Sequence, residues 1–179
     1  MRIISGELKG RSFNTPKGHK THPMGDRIKV ALFNTIAERL PGARVLDAYA
    51  GSGALGFEAY SRGAEFVQLI EKDHAAFRTI QENIGALPLD PERLKATRAN
   101  CASWAENNGK ERFDVILLDP PYDQLNFSTI FMLSDLLTPE GLMVLSHPGR
   151  EMVPVPDGVV VVDDRMYGDA ALSYYRKAD

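Results

Sequence analysis

Cysteine is almost absent from this chain: Cys101 stands alone among 179 residues. One thiol cannot close an internal disulfide, which fits a reducing compartment, and a small buried apolar role is expected of it. Histidine is equally sparse. His19, His22, His74 and His147 are scattered and none pairs at turn or helical spacing with another ligand type, so no metal site is expected. Long apolar runs are missing too, since stretches such as Val115–Leu118 and Val159–Val162 fall far short of the ~18 residues that suggest a membrane span. Met1-Arg2-Ile3-Ile4-Ser5-Gly6 leads into polar and basic residues rather than an apolar signal region. These absences predict a cytoplasmic protein with no membrane partner.

An excess of positive charge is lacking as well, the net charge being −3, which taken whole argues against nucleic acid. Its distribution argues the other way. Residues 1 to 30 carry seven basic side chains (Arg2, Lys9, Arg11, Lys17, Lys20, Arg27, Lys29) against Glu7 and Asp26, a segment charge of +5 that leaves −8 for the remainder. Such asymmetry suits either a basic patch meeting a polyanion or a solvated basic arm. The length and the 44% apolar share are those of a single globular domain.

What is present is organised around residues 43 to 56. Val45 and Leu46 form a short apolar strand, Asp47 ends it, and Gly51-Ser52-Gly53 turn the chain into a helix from Ala54 to Arg62. Glycine at 51, 53 and 56 after a strand is a nucleotide-binding fingerprint, with amide groups at the helix start expected to face the ligand. Glu71 lies twenty residues beyond Gly51, at the end of a second strand, Phe66 to Glu71, and suits a ribose diol. Asp47, four residues before Gly51, would repel a pyrophosphate and favours a ligand with a cationic group; S-adenosylmethionine has adenosine, an ammonium and a sulfonium but no phosphate.

Upstream, residues 2 to 13 read as a hairpin outside the main fold and 14 to 23 as loop. Asp26 is expected to cap a helix from Arg27 to Leu40 with Ile28, Ala31, Leu32, Thr35 and Ile36 near one face. Downstream, helices near 73–87, 100–108 and 127–137 alternate with strands at 94–99, 113–118 and 142–146. An antiparallel hairpin follows over 159–166 and 171–176, at the sheet edge. The alternation predicts a doubly wound α/β sheet whose ligands sit at the carboxyl ends of its strands, which would bring Asp47, Glu71, Asn100 and Asp119 to one crevice. His147 is expected in a surface loop.

The second chemical signal is Asp119-Pro120-Pro121-Tyr122, after the most apolar strand. Two prolines remove two N–H donors and leave an acceptor-rich edge. The Asp119 carboxylate and the Pro120 carbonyl could receive both hydrogens of a planar amine while Tyr122 stacks on the base. A DNA adenine, an RNA base and a protein glutamine all fit such an edge. An NAD-dependent oxidoreductase would share the glycine fingerprint, and a non-catalytic RNA-binding module would need only the basic arm.

Arg2-Ile3-Ile4-Ser5-Gly6, Gly10-Arg11, Asp26-Arg27, Ala31-Leu32-Phe33-Asn34, Leu46 to Gly56, Asp119 to Tyr122 and Tyr167-Gly168-Asp169 together make the chain resemble the RsmD-type bacterial methyltransferases, which modify N2 of a guanine in small-subunit (16S) ribosomal RNA. The resemblance implies a Rossmann-like class I sheet of seven strands, mostly parallel with a reversed last strand. It also implies a basic N-terminal extension over residues 1–23 before a methyltransferase domain over 24–179, and S-adenosylmethionine as donor; a monomer without metal is expected. On this resemblance Asp47, Gly51 and Gly53 hold the methionine end, Glu71 the ribose, and Asn100 and Cys101 the adenine, with Ala48 and Lys72 also counted among the cofactor-binding residues. Asp119, Pro120, Pro121 and Tyr122 hold the guanine, and Arg2, Lys9, Arg11, Lys17, Lys20, His22 and Arg27 the ribosomal RNA. One departure is visible: His22-Pro23-Met24 stands where the family usually shows Arg-Pro-Thr.

Overall fold

The computed structural model of the chain describes residues 1–17 and 24–178. Strands β1 (Arg44–Asp47), β2 (Phe66–Glu71), β3 (Leu94–Arg98), β4 (Phe113–Leu118), β5 (Leu137–Pro148), β6 (Val159–Tyr167) and β7 (Ala170–Lys177) form one sheet in the order β3-β2-β1-β4-β5-β7-β6. The first five run parallel, and β7 runs antiparallel between β5 and β6. This is the mostly parallel, seven-stranded class I sheet with a reversed last strand. Helices α1 (Asp26–Ile36), α2 (Ala54–Ser61), α3 (His74–Ala86), α4 (Cys101–Asn107) and α5 (Phe127–Ser134) cover its faces. The sheet divides the core into two apolar layers, one built around Phe33, Phe57 and Leu69 and the other around Ile116, Leu118 and Met143.

Strand order follows from hydrophobicity. Val45, Leu46 and Val115 to Leu118 are fully or nearly fully buried, because both faces of a central parallel strand are covered. The helices then supply caps: Asp73 accepts from the Ala76 amide, Asn100 from Ala102 and Ser103, and Asn126 from Thr129. Asp26 does not cap α1. Gly25 is the N-cap, and Asp26 lies in the first turn, where a negative charge still suits the helix dipole. The buried face of α1 is also turned from the expected one: Lys29, Leu32, Phe33 and Ile36 point inward, whereas Thr35 is exposed.

Lys29 therefore contributes no surface charge to the arm. Its ammonium is buried without a hydrogen-bond partner among the described residues, 5.9 Å from the Phe13 ring centre, and burial lowers its pKa. The N-terminal hairpin is not outside the fold either. It closes with an Arg2–Ser12 bridge and sinks Ile3, Leu8 and Phe13 into the main core. Glu58 of α2 accepts the Ile4 and Ser5 amides at 2.8 and 3.0 Å, the Leu8 amide donates to the Ser61 hydroxyl, and that hydroxyl donates to the Ser5 carbonyl. Residues 1–14 are thus docked on the helix that follows the glycine turn. His147 is not in a surface loop: it is buried near the end of β5, with Nε2 2.7 Å from the Ser173 hydroxyl of β7.

Candidate active site

The glycine turn connects β1 to α2 and is fixed from below. Gly53 caps α2 and donates its amide to the Ala50 carbonyl at 2.7 Å, while the Ala50 amide donates to Ile70 of β2. The Gly51 amide donates to Glu71 Oε2 at 2.8 Å. The Gly51 and Gly53 amides, expected to face a ligand, are thus spent on protein acceptors. What the turn offers is room. A side chain at Gly51 would meet nothing within 4 Å, in contrast to Gly56, where a Cβ would collide with Leu69 Cδ2 because α2 presses onto β2. Gly56 serves packing and Gly51 leaves space above the turn.

Asp47 ends β1 with a fully buried carboxyl group. Oδ2 accepts the Gly56 amide at 3.0 Å, and Oδ1 has no hydrogen-bond partner among the described residues. Burial pushes its pKa up to about 8, with the Asp119 and Glu71 charges adding to the rise and the Gly56 amide opposing it. A carboxyl so placed ties the turn to the first turn of α2, and its ionised form gains most from a nearby positive charge. Glu71 sits at the rim. Its Oε1 accepts the Asp73 amide at 2.8 Å, and since each carboxylate oxygen has two lone pairs, both oxygens keep one for a hydroxyl.

The adenine side is less direct. Asn100 spends its side-chain oxygen on the first amides of α4, and Cys101 is buried with its thiol bonded to the Ala48 carbonyl. Burial pushes that thiol up to about 12, so Cys101 is a packing and hydrogen-bonding group rather than a nucleophile. Ala48 is buried, and Lys72, next to Glu71 in the chain, is exposed. Asn100 and Lys72 are exposed at the strand ends, whereas Ala48 and Cys101 are buried and hydrogen-bonded to each other.

Across the crevice, Asp119 directly follows β4, and burial raises its pKa to about 6 while the Ser146 hydroxyl holds it down. The Pro121 carbonyl accepts the Gln124 amide at 2.8 Å, closing a 3-10 turn over Tyr122–Gln124 that presents Tyr122 at 41% exposure. Tyr122 Oη lies 3.0 Å from Ser146 Oγ. Asp119 and Glu71 are both close enough for their charges to act on Asp47, as the strand-end positions of the three require. Ser146 is absent from the sequence-based site. A serine at a strand end has no local mark; only its register against β4 gives it away.

Of the basic residues assigned to the arm, Arg2, Lys9, Arg11, Lys17 and Arg27 are exposed, and Lys20 and His22 lie outside the described residues. Asn83 of α3 ties this arm to the turn. Its side chain accepts the Asn14 amide at 2.8 Å and donates to the carbonyls of Asn14 and Ser52 at 2.9 and 3.1 Å.

Comparison with known proteins agrees with this architecture. The family model described as Conserved hypothetical protein 95 matches residues 1–176. The chain is 35% identical to the Bacillus subtilis protein YlbH, covering 99% of each chain. It is 32% identical to the Escherichia coli protein named ribosomal RNA small subunit methyltransferase D, covering 99% of this chain and 90% of that one. The solved structure of Escherichia coli yhhF superposes with a TM-score of 0.87 at 31% identity, covering 99% of this chain and 98% of that chain.

Proposed function

Because the chain belongs to the RsmD family of methyltransferases, with S-adenosylmethionine as cofactor, we propose that it methylates the exocyclic N2 amine of a guanine in small-subunit ribosomal RNA. The carrying observation is that an acceptor-only edge, Asp119-Pro120 with Tyr122 exposed beside it, stands at the same strand ends as the Asp47–Glu71 half of the crevice. Small-subunit RNA is what the name of the Escherichia coli relative supports, and guanine N2 is what the family resemblance supports.

The residues fit the cofactor. Asp47, a buried acid with an unpartnered oxygen, favours a cationic ligand above it; Glu71 has lone pairs for a ribose; and Gly51 leaves the space. Bound there, S-adenosylmethionine supplies a methyl group activated by its sulfonium. Asp119, ionised above its pKa of about 6, accepts one amine N–H and afterwards the proton that the methylated amine sheds. The Pro120 carbonyl accepts the other N–H, and the Tyr122 ring stacks on the base, a contact of about 1–3 kcal/mol. Fixing the amine in this way lowers the entropic part of the barrier, where well-aligned groups gain up to about 7–11 kcal/mol. A base in a helix has to be unstacked first, and the exposed basic arm grips its phosphates.

Labelled methyl transfer to naked 16S RNA, small subunits, DNA and protein, followed by nucleoside analysis, tests the reading. Label in N2-methylguanine of small-subunit RNA is expected. Label in adenine, in DNA or in glutamine overturns it.

A further inference from the structure

We propose that Ser146 is a positioning residue of the amine site, its hydroxyl joining the Tyr122 phenol to the Asp119 carboxylate in one directional hydrogen-bond chain; the proposal rests on the amine-methylation reading above. The geometry begins with strand register. Leu118, the last residue of β4, stands abreast of Leu145 in the parallel strand β5, so the next residues along, Asp119 and Ser146, are neighbours where β4 ends and β5 continues. Beyond that point Ser146 loses β4 as a partner on one side but keeps β7 on the other, paired with Leu172. It is 4% exposed, so its hydroxyl is held by a rigid strand rather than carried on the loop with the motif it serves.

Donor counting gives the chain its direction. A carboxylate only accepts, so toward Asp119 the Ser146 hydroxyl donates its single hydrogen. Its oxygen then accepts from the Tyr122 hydroxyl, 3.0 Å away. Hydrogen bonds running in one direction polarise one another, which favours charge at the carboxylate end. Two consequences follow. The phenolic hydrogen is committed to Ser146, so Tyr122 meets the base with its ring and not with its hydroxyl. Asp119 is kept in the ionised form that an amine needs. Asp47 from β1 and the Tyr122 phenol from the 3-10 turn face Asp119, and burial raises its pKa, whereas the Ser146 hydroxyl opposes that rise.

Serine at 146 thus sets both the angle of a half-exposed ring and the charge of a buried acid. Neither effect belongs to a residue that merely fills space: S146A removes one oxygen from a buried strand and S146T restores a hydroxyl at the same position. The test titrates the Asp119 carboxyl carbon by NMR in the free protein for wild type, S146A and S146T, and measures the pH dependence of kcat/KM for methyl transfer with the same proteins. In S146A the Asp119 midpoint and the acid limb of kcat/KM move together to higher pH by about one unit, an approximately tenfold loss of rate on the acid side. The loss shrinks above pH 8, and S146T restores the wild-type profile. Y122F, which keeps the ring but not the hydroxyl, moves the Asp119 midpoint in the same direction by less. Superimposable Asp119 titrations in wild type and S146A overturn the proposal, as does a loss of rate in S146A that is uniform with pH. A wild type that labels no amine, with the Asp119 midpoint still displaced in S146A, overturns the amine reading while bearing out the hydrogen-bond chain.

Discussion

Replacing Asp47 with asparagine gives the most direct measure of how the glycine turn is built. The native carboxyl has its pKa raised from the ordinary 3.8 to about 8 by burial, so between these values the folded protein binds a proton that the unfolded chain has released. Unfolding then releases that proton, and stability falls as pH rises through the window, at about 1.4 kcal/mol per pH unit for one proton. The asparagine of D47N does not titrate. Its side-chain oxygen still accepts the Gly56 amide, while its amino group takes the place of the unpartnered Oδ1 and adds a cost that is constant with pH. Urea unfolding at pH 5, 6 and 7 should therefore show the two curves converging or crossing, wild type losing about 3 kcal/mol more than D47N over that interval. Asp119, with its pKa near 6, contributes the same slope to both proteins and cancels in the difference. Parallel profiles would refute the reasoning, because they would mean that Asp47 is ionised in the folded state at pH 5.

Gly51→Ala should lower global stability by only about 1–2 kcal/mol, the cost of a left-handed alanine, while cofactor affinity by calorimetry falls at least about tenfold, since the added carbon enters the space above the turn. Asn83→Ala strands the Asn14 amide and two carbonyls and should cost about 2–3 kcal/mol in urea unfolding; protection of the amides in residues 1–14 from hydrogen exchange should fall more than that of β4. Neutralising Arg2, Lys9 and Arg11, all exposed on the docked hairpin, should reduce the slope of log K for RNA against log salt by about 2, measured by filter binding, with cofactor affinity unchanged.

Much of the site can be read along the chain because it depends on local rules. The apolar run at Phe113–Leu118 makes a central strand, the glycines at 51, 53 and 56 make a turn that lets α2 approach β2, and two prolines at 120 and 121 remove donors whatever the surroundings. Misreadings arise where burial of a polar group depends on a distant partner. Lys29 counts as a surface cation in the sequence but is covered by the N-terminal hairpin, and His147 counts as loop until β7 inserts beside β5 and supplies Ser173. The hairpin itself, which reads as an appendage, buries Ile3, Leu8 and Phe13 because Glu58 and Ser61 satisfy its amides from α2.

By itself, then, the sequence determined the order of strands and helices, the ends at which Asp47, Glu71 and Asp119 emerge, and the donor-free edge that suits an amine. Tertiary structure alone decided that Asp47 is a buried acid with one unpartnered oxygen, that the Gly51 amide is spent on Glu71, and that Ser146 comes beside Tyr122 at the end of β4. The physical reason is that backbone preference and hydrophobic period act over a few residues, whereas the charge and direction of a polar group are set by what the crossovers of a parallel sheet bring beside it from tens of residues away.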